Sequence, residues 1–370
     1  METVLQQEEN KSINWSQIWA LASLNAAVVI SWIAYHNYQP KVLIKFDMMH
    51  LKLFLIIAQA LILVLIPPIA GWLGDYMIKQ NGNRFVVFTV GISVTAMIFM
   101  AVAFSVSDNP FINLKWLLPI MIVLWLISMN IFHSPANSMI ELFAPGKQLP
   151  VVMSIIAMIT ELLRALEPII INLVDFLGAT LTFVTGGVLL IVTGFFFRRA
   201  TRDQISLQRF DDQSATAQEN NYTQVIAAGF VFGLATAILM NVFPDLLASK
   251  LKEYSSSIFG GNHFVSLILA VAALFAIPSS KFTEKLGIQS ALIVGLIITF
   301  VGIFAIYLLN DPIATAIACV VMALGYSVIS VSSFPFAINN LTKQHITFGA
   351  GLFFGSAELA DGILNYLQTV

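Results

Sequence analysis

Apolar residues in this chain fall in blocks about as long as a bilayer is thick, separated by short polar or Pro/Gly-rich connections. Eleven blocks can be marked, at residues 14–37, 51–77, 85–106, 115–138, 150–173, 177–197, 223–247, 262–279, 287–309, 312–336 and 348–368. A helix needs roughly 20 mostly apolar residues to cross the hydrocarbon core, so each block predicts a spanning helix. One long polar stretch interrupts the series, Arg198 to Asn221, with the strings RRATRDQ and DDQSATAQENN. So short a segment cannot bury a core of its own. It predicts a cytoplasmic linker at 198–221 between an N-terminal helical bundle at 1–197 and a C-terminal one at 222–370.

The two sets of blocks echo each other. The first block leads into NYQPKVL and the seventh into NVFPDLL, so that Asn37, Pro40 and Leu43 recur as Asn241, Pro244 and Leu247. Pro135 recurs as Pro335, and Lys147, Gln148 and Glu161 recur in the same order as Lys343, Gln344 and Glu358. A preserved order of this kind points to an internal repeat. Two parallel repeats of six helices, related by an axis along the membrane normal, build carriers that bind substrate between the halves near the midplane. On that scheme a twelfth helix would follow Val370, so the chain is expected either to be cut short before it or to be a divergent eleven-helix form.

Composition agrees with the pattern and removes several function classes. Hydrophobic residues make up 58% and charged residues 10% of the 370 positions, against about a quarter charged in ordinary soluble domains. Lys plus Arg number 18 and Asp plus Glu 20, so no basic face for nucleic acid is expected. Cys319 is the single cysteine, which excludes an intrachain disulfide or a Cys-based metal cluster. No H-E-x-x-H, P-loop or G-x-S-x-G string occurs, so neither an enzyme nor a cofactor is expected. No polar stretch is long enough for the nucleotide domain of an ATP-driven pump. The leader before Asn14 is acidic and polar, without the basic start of a cleaved signal peptide, so the first helix is expected to be retained.

Lys and Arg are retained on the cytoplasmic side. With the N-terminus inside, eleven of them (Lys11, Lys79, Arg84, Lys147, Arg198, Arg199, Arg202, Arg209, Lys281, Lys285 and Lys343) lie in the cytoplasm. Six (Lys41, Lys45, Lys52, Lys115, Lys250 and Lys252) then lie outside, and Arg164 is inside a helix. This predicts a multi-pass protein of the plasma or inner membrane with a cytoplasmic N-terminus.

The second block ends PPIAGWLGDYMIKQNGNRFVVFTVG. Gly71 and Gly74 allow close helix approach, Asp75 can accept hydrogen bonds at a helix terminus, and Arg84 beyond Gly82 is a bidentate donor. The string reads as a gate latch or, more simply, as a polar turn. It resembles the major facilitator superfamily, whose loop between the second and third helices carries Gly-x-x-x-Asp followed by Gly and basic residues. The spacing of Asp75, Gly82 and Arg84 is most similar to the glycoside and sucrose cation-symporter branch. SPANSMIELFAPGKQLP and SSFPFAINNLTKQHITFGAGLFFG are similar to two further stretches of that branch. Tyr76 and Asn83 stand where the branch has basic residues, no basic residue follows Pro135, and Glu141 lies near the branch's helix-four acid without coinciding with it. The resemblance implies a small-solute carrier, of a sugar or glycoside, working by alternating access.

Charges inside the blocks mark the candidate site, since an ionisable residue in a spanning helix faces the bundle interior by default. The fifth block holds Glu161, Arg164 and Glu167 at steps of three, within reach of one another on the helix surface. They read as a substrate or coupling site, or as a self-neutralising structural cluster. The eleventh block repeats Glu358 but sets Asp361 where the first half has Arg164. Two acids without a cation on their own helix suggest a proton site, unless water or Arg164 from the other half meets them. Asn130 and His133, with Asn137, share one face of the fourth helix and could line the cavity. The repeat-related Asn37 and Asn241 complete the list. Trp32, Tyr35, Trp116 and Trp125 could stack on sugar rings or serve as packing and interfacial residues.

The reading is an all-helical membrane protein of two six-helix-type bundles with about eleven helices present. Its expected function is monomeric secondary transport of a small solute coupled to protons, or to sodium, which also suits carboxylates. Alternatives are a carrier of a drug, nucleoside or organic anion, a membrane-embedded enzyme, or a transport-dead sensor.

Overall fold

The computed structural model describes residues 13–82, 85–106, 117–205, 219–252 and 260–369, and among these the chain is helical without a strand. The helices are α1 (Trp15–Lys45), α2 (Lys52–Asn81), α3 (Phe85–Val106), α4 (Leu118–Asn137), α5 (Leu149–Ala165, resuming over 167–177) and α6 (179–205). They continue with α7 (Tyr222–Lys250), α8 (Gly261–Leu286), α9 (Ile288–Leu308), α10 (Pro312–Asn339) and α11 (Ile346–Thr369). Ten spans among the described residues are long and apolar enough to cross a membrane.

Several helices outrun their apolar blocks. α1 continues through Pro40 to Lys45, α8 through Pro278 to Leu286, and α10 through Pro335 to Asn339. A proline in water ends a helix by removing an N–H, but spanning helices tolerate one because neighbouring helices re-satisfy the freed carbonyl. α7 reaches Pro244 through a π-helical turn, Ile238–Val242. The boundary between the fifth and sixth blocks falls at Gly178, whose φ of +74° breaks the helix in a conformation that only glycine adopts without strain.

Lipid-facing stripes follow the helical period. Leu53, Ile57, Leu61, Leu65 and Ile69 are exposed along α2, as are Ile293, Ile297, Val301 and Phe304 along α9. Large apolar surfaces of this kind are stable only against hydrocarbon.

The two sets of helices are built alike. Asn14 and Asn221 cap α1 and α7, each accepting from the backbone N–H three residues on, that of Gln17 at 3.4 Å and of Gln224 at 3.2 Å. Their own N–H groups donate to the loops after α4 and α10, at Phe143 O (2.9 Å) and Asn340 O (3.0 Å). Near the other end of α1, Lys45 donates to Val106 O at the end of α3, while Lys250 of α7 donates to Tyr307 O and Leu309 O at the end of α9. Contacts of α2 with α11 and of α5 with α8 join the halves. Along the α2–α11 seam backbones touch. A Cβ on Gly71 would lie 2.2 Å from Thr347 O, and one on Gly351 would lie 2.2 Å from Pro67 O.

Candidate functional site

Glu161 and Arg164 sit one turn apart on α5, where the helix meets α10 and α8. The Glu161 side chain retains 4% exposure and that of Arg164 29%, while the Arg164 NH1 nitrogen is itself buried. Arg164 NH1 stands 3.7 Å from Glu161 Oε1, too long for a hydrogen bond. Tyr326 of α10, from the other half, donates its hydroxyl to the same oxygen at 3.3 Å. That hydroxyl also shares a hydrogen bond with Thr236 Oγ1 of α7 at 3.0 Å. Among the described residues Glu161 Oε2 and Arg164 NH1 have no hydrogen-bond partner.

Two more acids approach from α11. Arg164 lies within electrostatic reach of Glu358 and of Glu167, and Asp361 is within reach of Arg164. Asp361 is held from both sides. Asn241 donates to its Oδ1 at 2.8 Å and Asn365 to its Oδ2 at 2.9 Å. Asn241 belongs to the π-helical turn of α7, and such turns re-aim a side chain that a regular helix would place elsewhere. The result is one guanidinium within electrostatic reach of four carboxylates drawn from both halves.

A second constellation lies at the end of the bundle nearest the loops after α4 and α10. Asp75 of α2 accepts the backbone N–H groups of Thr347 at 3.1 Å and Phe348 at 2.8 Å. These are unpaired donors in the first turn of α11, where a negative charge also meets the positive end of the helix dipole. Gly74 permits the approach, since a Cβ there would fall 2.8 Å from the Thr347 side chain. Ser138 donates to Thr347 Oγ1 at 3.4 Å, adding a contact from the residue that caps α4. Gly82 ends α2 with φ +65°, and Arg84 lies outside the described residues.

Comparison with known families bears on this arrangement. The family model described as Major Facilitator Superfamily matches residues 17–363. The chain belongs to that superfamily. Among solved structures it is similar to the human organic anion transporter MFSD10 (TETRAN), with a TM-score of 0.70 and 11% identity over 94% of this chain and 92% of that one. At that identity the likeness concerns the fold. No curated protein matches the chain. Superfamily membership makes it an integral multi-pass membrane protein and points to transport of a small molecule rather than to catalysis.

Within this superfamily member the remaining expected residues separate. Asn130 turns back on its own helix, donating to Leu126 O at 2.8 Å, and Asn137 donates to His133 O at 3.0 Å while accepting from Asn25 at 3.0 Å. His133 packs its ring on Phe354 of α11 at 4.5 Å between centroids, a contact across the halves. Asn37 does not join the central acids. It donates to Asp175 Oδ1 at 2.8 Å, beside a Lys41–Asp175 ion pair of 2.7 Å at an exposed position. Trp32, Tyr35 and Trp125 pack on one another, with Tyr35 and Trp125 stacked at 4.5 Å, and Trp116 lies outside the described residues. Tyr326 and Thr236 escaped the sequence reading. The available signal was a phenol in α10 among Ser327, Ser330, Ser332 and Ser333, a polar run in a spanning helix.

Proposed function

We propose that the protein is a secondary active carrier that moves a small solute by alternating access, the bundles 1–197 and 222–370 rocking about the Arg164 cluster, with proton coupling through Glu358 and Asp361. The observation that carries this reading is the sharing of Arg164 between acids of both halves. A relative movement of the halves changes which carboxylate the cation neutralises, and so links solute movement to proton uptake and release. Sodium is the alternative coupling ion. The latch at Asp75 supports a conformation closed at that end of the bundle, the end assigned to the cytoplasm by the Lys and Arg distribution.

The solute class rests on the three loops similar to the glycoside and sucrose branch, which favour a sugar or glycoside. The rings expected to stack on a sugar lend that class no support, because Tyr35 and Trp125 are each about 5% exposed or less and stack on each other. An organic anion is the second reading, favoured by Arg164, whose buried NH1 has no hydrogen-bond partner among the described residues. Uptake by proteoliposomes of labelled sugars, nucleosides and organic anions, with and without a pH gradient, tests all three statements. Gradient-stimulated uptake of a sugar is expected. Absence of uptake for every solute would remove the carrier reading, and uptake indifferent to the gradient would remove proton coupling.

A further inference from the structure

Glu161 is the most buried of the four acids by its 4% side-chain exposure, and its hydrogen bond comes from an unexpected source. The guanidinium one turn away stands at 3.7 Å without hydrogen-bonding it, while a neutral phenol from the opposite half does so at 3.3 Å. Tyr326 itself is fully buried. Its hydroxyl has one proton to give and makes two hydrogen bonds, with Glu161 Oε1 and Thr236 Oγ1, while Ser330 also lies within reach. Thr236 donates to Phe232 O at 3.0 Å, and while it does so it can only accept from Tyr326. The phenolic proton is therefore divided between Glu161 and Thr236.

We propose that Tyr326 is a positioning residue for proton coupling: by satisfying Glu161 it frees Arg164 to neutralise Glu358 when that acid gives up its proton. The inference rests on the carrier reading above. A buried ionised carboxylate without donors is costly, and one guanidinium cannot serve Glu161 and Glu358 equally well. With the phenol holding Glu161, Arg164 can lean towards α11 at little loss. In the step itself the Glu358 O–H bond breaks and its proton passes to water on the side to which the site is open. Arg164 stays protonated and moves, and Tyr326 keeps its proton throughout. The charged and titratable groups around the pair are Arg164 and Glu167 on α5, Tyr326 on α10, and Glu358 and Asp361 on α11.

Two substitutions in the full chain should move the pH profile of uptake in opposite directions. Tyr326→Phe removes the donor, keeps Arg164 on Glu161 and leaves Glu358 without its cation, so the midpoint of gradient-driven uptake should rise by about one pH unit. Thr236→Val removes the competitor for the phenolic proton, strengthens the bond to Glu161 and should lower the midpoint. Each profile, for whichever solute the parent carries, is normalised to that variant's own maximum, so that a general loss of activity is not read as a shift. Unshifted midpoints, or shifts in the same direction, would overturn the proposal and leave Tyr326 as a packing residue. If Tyr326→Phe does not yield folded protein, Thr236→Val decides alone, and an absent or upward shift overturns it. A folded parent that carries no solute would instead remove the carrier reading and this inference with it. A parent with pH-dependent uptake and unshifted variants removes only the role of Tyr326.

Discussion

The carboxylate of Asp75 reaches across the two halves to accept the backbone N–H of Phe348 at 2.8 Å. The bond is charge-assisted and lies at a helix N-terminus, where a lost negative charge costs about 1 kcal/mol or somewhat more. Asp75→Asn keeps the size but gives up that charge. Turnover measured as solute exchange should fall by up to about tenfold, while binding affinity, read by equilibrium titration, should stay within about twofold because the latch lies away from the central cluster. Unchanged exchange rates would remove Asp75 from the gate.

The acids of α11 should behave differently from those of α5. Glu358→Gln imitates a permanently protonated side chain, so it should abolish accumulation driven by a pH gradient while largely preserving solute exchange, which needs no net proton movement. Glu161→Gln, which disturbs the carboxylate shared by Arg164 and Tyr326, should instead reduce binding or the yield of folded protein. Full gradient-driven uptake by both Glu358→Gln and Asp361→Asn would reject the proton site.

Gly351 offers a steric test of the closed seam. A methyl group there would meet Pro67 O at 2.2 Å, a backbone atom that cannot step aside. Gly351→Ala should therefore prise α2 from α11. The loop after α4 and the end of α10 report the change, because a Cβ on Gly146 would stand 3.5 Å from Asn339 Oδ1. Cysteines placed at Gly146 and Asn339, with Cys319 replaced, should be joined by a short bifunctional thiol reagent in the parent and several-fold less in Gly351→Ala. Equal yields would show that the seam repacks around the methyl group.

Lys250 should matter for stability rather than for transport. Its ammonium binds two carbonyls at the end of α9 and Asn310 Oδ1 at 2.9 Å, and a cation at a helix C-terminus contributes roughly 0.3–1 kcal/mol. Lys250→Met should lower the thermal midpoint of the detergent-solubilised protein by a few degrees, and Lys45→Met should do the same on the repeat-related helix. No change in either would mean that these caps are replaced by water.

Orientation can be checked with the same cysteine-free background. A cysteine at Gln80 should resist impermeant thiol reagents in intact cells, and one at Ser249 should react, both positions being exposed. The reverse pattern would invert the assignment of the N-terminus to the cytoplasm.

The helices and the close, polar end of α2 were legible before any coordinates because their signals are local. A block of apolar residues has the length of a bilayer wherever it folds, and Gly71, Gly74 and Asp75 announce a close, polar helix end by residue type alone. The acids were legible for the same reason, since a charge in an apolar block is conspicuous by itself. Helix ends were less so, because Pro40, Pro278 and Pro335 look like stops until neighbouring helices are known to cover the freed carbonyls.

What the amino-acid order determined by itself is thus the solvent of this protein and the list of charges that lipid cannot hold. Which charge meets which was decided only by tertiary structure. Asn37 and Asn241 are equivalent in the repeat, yet one binds Asp175 beside an exposed lysine and the other binds Asp361 beside the central cluster. Tyr326 and Glu161 are 165 residues apart. Their meeting depends on how α5 and α10 pack, and the energy of a buried charge is set by donors within a few ångströms in space, a distance to which position along the chain gives no guide.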